Sequence, residues 1–250
     1  MTAERWQTAL MTQPHATPES PHPATARVAL ITGASRGLGA ALAEGLAAQG
    51  WHVIAIARTT GALEELDDRI SAAGGSVTLV PADITQDATM RQICRSIHER
   101  FGHVDLWAHT AVHVPPLGPA GHVAVKDWDK TLATILRATG VLIPLIEPLL
   151  RSAPRGKAVF FDDAARQGAE PGDTARFFGA YGAAKAGQIA LARAWAAENA
   201  VLGQARAPQV VIDTPAPMPT ATRGRFFPGE DRAPLTPCAA EAARIIAALT

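Results

Sequence analysis

Two cysteines, one tyrosine and a single asparagine occur among 250 residues. Cys94 and Cys238 have neither CxxC spacing nor the density of a disulfide framework, which excludes a small stapled domain and suits a reducing, cytoplasmic setting. Excess charge of either sign is missing as well, with 23 Lys plus Arg against 23 Asp plus Glu. No positive field exists to collect the phosphates of a nucleic acid or an anionic membrane. No uninterrupted apolar run approaches the roughly 20 residues that span a bilayer, and the N-terminus lacks an apolar signal core. These absences point to a soluble chain with a small-molecule partner, no nucleic acid and no membrane. What is present is apolar: 48% hydrophobic against 18% charged residues, enough for one core.

Residues 1–26 read as a disordered or loosely ordered tail, because Thr12 to Ala26 is rich in Pro, Thr, Ala and His and has no hydrophobic periodicity. Residues 27–250 read as one domain. Short β-branched or apolar runs alternate there with alanine-rich stretches, the pattern of βαβ units and a mainly parallel sheet. Strands are expected near Val28–Thr32, His52–Ala57, Ser76–Pro81, Val104–Ala108, Lys157–Phe161 and Pro208–Asp213. Amphipathic helices are expected over Leu38–Gln49, Ala62–Ala73, Thr89–Phe101, Val125–Leu150 and Ala180–Ala200. The fourth carries Pro144 and Pro148 and should kink or end early. Thr214–Pro237, with six prolines, reads as a long irregular segment before a last helix at Ala239–Leu249. The expected fold is α/β: a doubly wound Rossmann-like sheet of about six strands with helices on both faces.

The strand Val28–Thr32 runs directly into Gly33-Ala34-Ser35-Arg36-Gly37-Leu38-Gly39, where a helix begins. Glycines permit a tight turn and close approach to a pyrophosphate, and the helix N-terminus directs N–H groups and partial positive charge at the anion. An acidic residue at the end of the second strand would bind a ribose 2′-hydroxyl and repel a 2′-phosphate. The chain has Ala57-Arg58 there, and Arg58 with Arg36 can pair with a 2′-phosphate. NADP(H) is therefore expected over NAD(H). His109, His113 and His122 share one segment, but Pro115 and Pro116 break any helix that would align them and no cysteine is near. No metal site is expected.

The glycine spacing TGxxxGxG over Thr32–Gly39, followed by Tyr181-Gly182-Ala183-Ala184-Lys185 at the start of a long helix, resembles the short-chain dehydrogenase/reductase family. The likeness covers about Arg27 to Thr220. It implies Tyr181 as the acid–base group of carbonyl reduction or alcohol oxidation, and Lys185 as the cation that activates it and holds the nicotinamide ribose. A phenol with a pKa of about 10 needs such a cation, and at i+4 Lys185 shares a helix face with Tyr181. The resemblance also implies that Asp83 and Ile84 flank the adenine and that Thr220 lies near the nicotinamide amide. His109-Thr110-Ala111 stands where the family has an asparagine-rich turn.

The family's remaining catalytic positions are altered. Asp163 stands where a serine is usual, and no serine occurs between Ala153 and Ala180, where Thr174 is the only hydroxyl residue. Ile135 takes the position of the catalytic asparagine. Three readings follow. Asp163 is protonated and donates a hydrogen bond; His109, otherwise a structural turn residue, or Thr110 supplies the missing donor; or the chain is a catalytically weak or inactive dinucleotide-binding sensor or interaction protein. A homodimer is expected through the helices bearing Leu132–Leu149 and Ile189–Leu202.

Overall fold

Successive residues of a strand point to opposite faces, and this period of two divides the core. The computed structural model describes residues 27–164, 176–202 and 207–250; the expected N-terminal tail and Thr174 lie outside them. Strands β1 (Val28–Thr32), β2 (His52–Ala57), β3 (Ser76–Pro81), β4 (Leu106–His109), β5 (Lys157–Phe161) and β6 (Gln209–Asp213) form one sheet in the order β3-β2-β1-β4-β5-β6. All five pairings are parallel.

Val28, Leu30, Ile54, Trp107 and Phe160 face one side, where they meet helices α3 (Asp87–Phe101), α5 (Ala138–Ser152) and α6 (Gly179–Leu202). Ala29, Ile31, Val53, Ala55 and Val159 face the other, covered by α1 (Gly37–Ala48), α2 (Thr60–Ala72) and α8 (Cys238–Leu249). The central strands β1, β2 and β4 are buried on both faces, as parallel sheets require, while β6 at the edge is half-buried. The strand order reverses between β1 and β4, which opens a crevice at their carboxyl ends, where ligands bind in such sheets.

Three expectations need correction. Strand β4 begins at Leu106 instead of Val104, whose N–H donates to the Leu149 carbonyl of α5 at 3.1 Å and so leaves the ladder. Second, Pro144 and Pro148 do not end their helix, which continues to Ser152 because Leu142, Ile146, Leu149 and Leu150 are buried beneath it. The helical path is irregular upstream instead: α4 (Val125–Leu132) passes into a π-helical turn at Ala133–Arg137 before α5. By length and composition alone, Val125–Ser152 is apolar enough to cross a membrane, but its apolar stripe belongs to the sheet core. Third, the Thr214–Pro237 segment contains a short helix, α7 (Ala221–Phe226), capped by the Thr220 hydroxyl accepting from Arg223 N–H at 3.1 Å.

Candidate functional site

Gly33 leaves β1 with φ of 90° and Gly37 opens α1 with φ of 57°, a backbone region that side chains disfavour. The turn is pinned from below, since the N–H groups of Gly33 and Ala34 both donate to the Ile56 carbonyl, at 2.8 and 3.2 Å. From the side, the Thr110 hydroxyl reaches the carbonyls of Thr32 and Gly33 at 2.9 and 3.2 Å. No side chain caps α1 and no acid lies in its first turn, so its N–H groups and partial positive charge are turned to the crevice.

A cavity of about 350 Å³ lies above this loop, within the size range of small-molecule sites. It brings together every site residue expected from sequence: Gly33, Ser35, Arg36, Gly37, Leu38 and Gly39 from the loop; Arg58, Asp83 and Ile84 from the ends of β2 and β3; Thr110 and Ala111 after β4; and Asp163, Tyr181, Lys185 and Thr220. Arg36 and Arg58 are exposed, as a surface phosphate clamp would require. One oxygen of Asp83 is occupied in a tight turn, accepting from the N–H and hydroxyl of Thr85.

At the far end, Tyr181 is 3% exposed and stands edge-on to Phe226 of α7, with ring centroids 4.9 Å apart. Phe178 packs on both rings. This aromatic cluster folds the segment after β6 over the tyrosine. The Tyr181 hydroxyl donates to Asp163 Oδ2 at 2.8 Å. Lys185, one turn along α6 and also 3% exposed, donates to the Phe161 carbonyl and to Gln188 Oε1, the latter at 2.8 Å.

Behind the lysine lies a buried polar chain that sequence reasoning missed, because it joins five separate elements with no motif in common. Gln188 Nε2 donates to Thr139 Oγ1 at 2.9 Å and to the Ile135 carbonyl at 3.2 Å. Thr139 gives its single hydroxyl proton to the Ile135 carbonyl at 2.6 Å. Its oxygen therefore accepts from His109 Nε2, 3.0 Å away, which fixes the tautomer and leaves Nδ1 to accept from the Thr32 hydroxyl at 2.6 Å. Trp107 Nε1 donates to Thr32 Oγ1 at 3.3 Å.

Of the two readings of His109, a replacement donor or a structural turn residue, these contacts favour the structural one. The Thr110 hydroxyl is directed to loop carbonyls, and both His109 nitrogens are engaged inside the fold. His109 is a structural residue. Burial, with the Lys185 charge added, pushes its pKa down to about 3 from 6.5, so it stays neutral at physiological pH. The unfolded chain takes up a proton below pH 6.5 and the folded chain does not until about 3. Stability should therefore fall with pH across that window, by up to about 1.4 kcal/mol per pH unit from this residue. Urea midpoints for wild type and His109→Gln at pH 7 and pH 4 check this: the acid-side loss should shrink in the variant, and equal losses would contradict it.

Among the described residues, no three His, Cys, Asp or Glu side chains gather as a metal site.

The model of the family described as short chain dehydrogenase matches residues 27–226. The chain is 29% identical over 133 residues to D-threitol dehydrogenase of Mycolicibacterium smegmatis, which covers 53% of this chain and 51% of that protein. It is 32% identical over 135 residues to glycine betaine reductase ATRR of Emericella nidulans, covering 54% of this chain and 10% of that one. The chain thus matches about half the length of one of these relatives and far less of the other. Among solved structures, a Shigella flexneri 2a chain complexed with NADP superposes with a TM-score of 0.77 at 25% identity, covering 85% of this chain and 86% of that one. A metagenomic short-chain oxidoreductase in complex with NADP gives a TM-score of 0.74 at 23% identity, covering 91% and 92%.

Proposed function

The chain belongs to the short-chain dehydrogenase family, and on that premise we propose that it is an NADP(H)-dependent oxidoreductase that interconverts a small-molecule carbonyl and its alcohol. The observation that carries this reading is the joining of a phosphate loop and a buried Tyr181–Lys185 pair within one cavity. The residues present fit the dinucleotide. A Cβ on Gly33 or Gly39 would collide with Ala111, Thr110 or Gly33 itself, so glycine lets the loop pack tightly against the end of β4 while the cavity above it stays open. Gly33–Gly39 and the α1 N-terminus would hold the pyrophosphate, Arg36 and Arg58 a 2′-phosphate, and Lys185 the nicotinamide ribose. When bound, the nicotinamide supplies or accepts a hydride.

The chain's own residues supply the proton and its control. Tyr181 gives its phenolic proton to the carbonyl oxygen, or takes one from the alcohol. Lys185 stabilises the phenolate by charge. Phe226, Phe178 and the Pro215–Met218 wall reduce access of water to the tyrosine, which strengthens those electrostatic effects. Asp163 accepts from the phenol in the place where the family has a serine donor, and this favours a second reading, a dinucleotide-binding protein with weak or no turnover.

Incubation with NADPH and a panel of aldehydes and ketones separates the two: alcohol formation that is lost in Tyr181→Phe is expected. Binding of NADPH with no reduction above the Tyr181→Phe background would favour the second. For the cofactor, Arg58→Ala should weaken NADPH roughly tenfold or more, since a hydrogen bond to a charged group contributes about 1.5–3 kcal/mol. Its NADH affinity should not change; equal weakening of both in calorimetric titration would remove Arg58 from phosphate recognition.

A further inference from the structure

Resting on the reading above, we propose that the Thr134 hydroxyl is a binding group of this site and hydrogen-bonds a hydroxyl or carbonyl oxygen of the bound ligand. Thr134 is 6% exposed and lines the cavity. It lies in the π-helical turn at Ala133–Arg137, and such turns are frequent at functional sites. Its neighbours Leu132 and Ile135 pack in the aromatic cluster around Tyr181. Thr134 therefore comes from the wall that also carries the tyrosine cluster.

A threonine inside a helix commonly returns its hydroxyl to a carbonyl one turn back. Thr131 does so to the Asp127 carbonyl at 2.5 Å, and Thr139 to the Ile135 carbonyl at 2.6 Å. Thr134 stands between them and makes no such bond; among the described residues no hydrogen-bond partner meets its hydroxyl. The unpartnered side-chain atoms sealed from solvent, among the same residues, are Trp51 Nε1, His113 Nε2 and Trp195 Nε1. The Thr134 oxygen is not one of them, so the surface it keeps opens on the cavity.

The other buried polar side chains of the lining are bonded within the fold. His109 meets Thr32 and Thr139, Asp162 accepts from the Asp163 N–H, Tyr181 donates to Asp163, and Lys185 donates to the Phe161 carbonyl and Gln188. Thr134 is the buried polar group of the lining that is left to a ligand.

Buried polar groups in folded chains are nearly always hydrogen-bonded, and one that is not needs a physical reason. A hydroxyl can rotate to donate to a carbonyl or to accept from an alcohol, and inside a cavity that bond is electrostatically stronger than one made in water. Two sources offer the matching oxygen. One is a ribose hydroxyl of the dinucleotide; the other is an oxygen that the substrate carries beside its reacting carbon.

Valine keeps the shape of threonine and removes the hydroxyl, so Thr134→Val is compared with Thr134→Ser in the full chain. Without any ligand, Thr134→Val should unfold at or above the wild-type temperature, because an apolar group replaces an unpaired hydroxyl. This readout needs neither cofactor nor turnover. A lower midpoint would reveal a partner inside the fold and overturn the proposal. Calorimetric titration with NADPH reads the first source. For the second, hydroxyketones, each matched with the ketone that lacks the hydroxyl, are titrated into chain saturated with NADP+, a pair that cannot exchange hydride. One of the two affinities should fall about twofold to tenfold in Thr134→Val and recover in Thr134→Ser. A fall confined to NADPH assigns the ribose; a fall confined to the hydroxyketones, with the matched ketones unchanged, assigns the substrate. Wild-type affinities in both arms would overturn the proposal alone, whereas a wild type that binds no dinucleotide would remove the reading beneath it as well.

Discussion

Gly33→Ala should reduce NADPH affinity on the order of a hundredfold, or abolish it. At φ of 90° an added Cβ would lie 2.6 Å from the Ala111 nitrogen, 2.7 Å from its Cα and 2.8 Å from the Thr110 carbonyl carbon. These are backbone atoms held by β4, so neither side can yield without opening the crevice. A strained backbone of this kind costs about 1–3 kcal/mol, and each 1.4 kcal/mol is tenfold in affinity. Because the collision is with the protein's own backbone, thermal unfolding must accompany the titration, and only folded variant counts towards the loss of affinity. Gly61→Ala is the control: nothing lies within 4 Å of its added Cβ, and it sits in α2, where alanine is the better helix former. Calorimetric titration of both variants checks this. NADPH binding by Gly33→Ala at wild-type strength would show that the ligand does not use this loop.

The second large effect concerns Lys185. Lys185→Met should lower kcat by about a hundredfold to ten-thousandfold, the range over which a positioned acid–base group contributes. Without the ammonium, a 3% exposed phenol has lost its nearest fixed cation on α6, and its ionised form becomes costly. The substitution also leaves the Phe161 carbonyl and the Gln188 oxygen without that donor, at about 1–3 kcal/mol for an orphaned buried group. Thermal unfolding must therefore accompany the kinetics, so that loss of folded protein is not counted as loss of chemistry. Folded Lys185→Met with unchanged kcat would remove the lysine from the mechanism.

The fold was largely legible because it depends on local periodicity. All six strands fall within two residues of their expected starts, since short apolar runs bounded by turn residues have few other uses. The cavity lining was legible for a different reason: TGxxxGxG and YxxxK are short-range patterns whose spacing is itself the geometry. The buried chain from Trp107 to Gln188 was not. Thr139 and Gln188 are ordinary helix residues in one dimension, and only the crossing of α5 over α6 places them within 3 Å. The proline effect was misjudged for a related reason. Pro144 and Pro148 weaken an isolated helix, but a segment with Leu142, Ile146, Leu149 and Leu150 buried in the core keeps its path by packing. The role of Asp163 was half visible: sequence showed a carboxyl where a hydroxyl was expected, and structure supplied the hydrogen bond from Tyr181 that gives it a partner.

The central claim is that the loop at Gly33–Gly39 and the arginines at 36 and 58 make a site for NADP(H). Calorimetric titration of the full chain with NADPH and, in parallel, NADH tests it most directly. The account predicts one NADPH bound per chain, at least tenfold tighter than NADH. Binding of neither dinucleotide, or a preference for NADH, would contradict it.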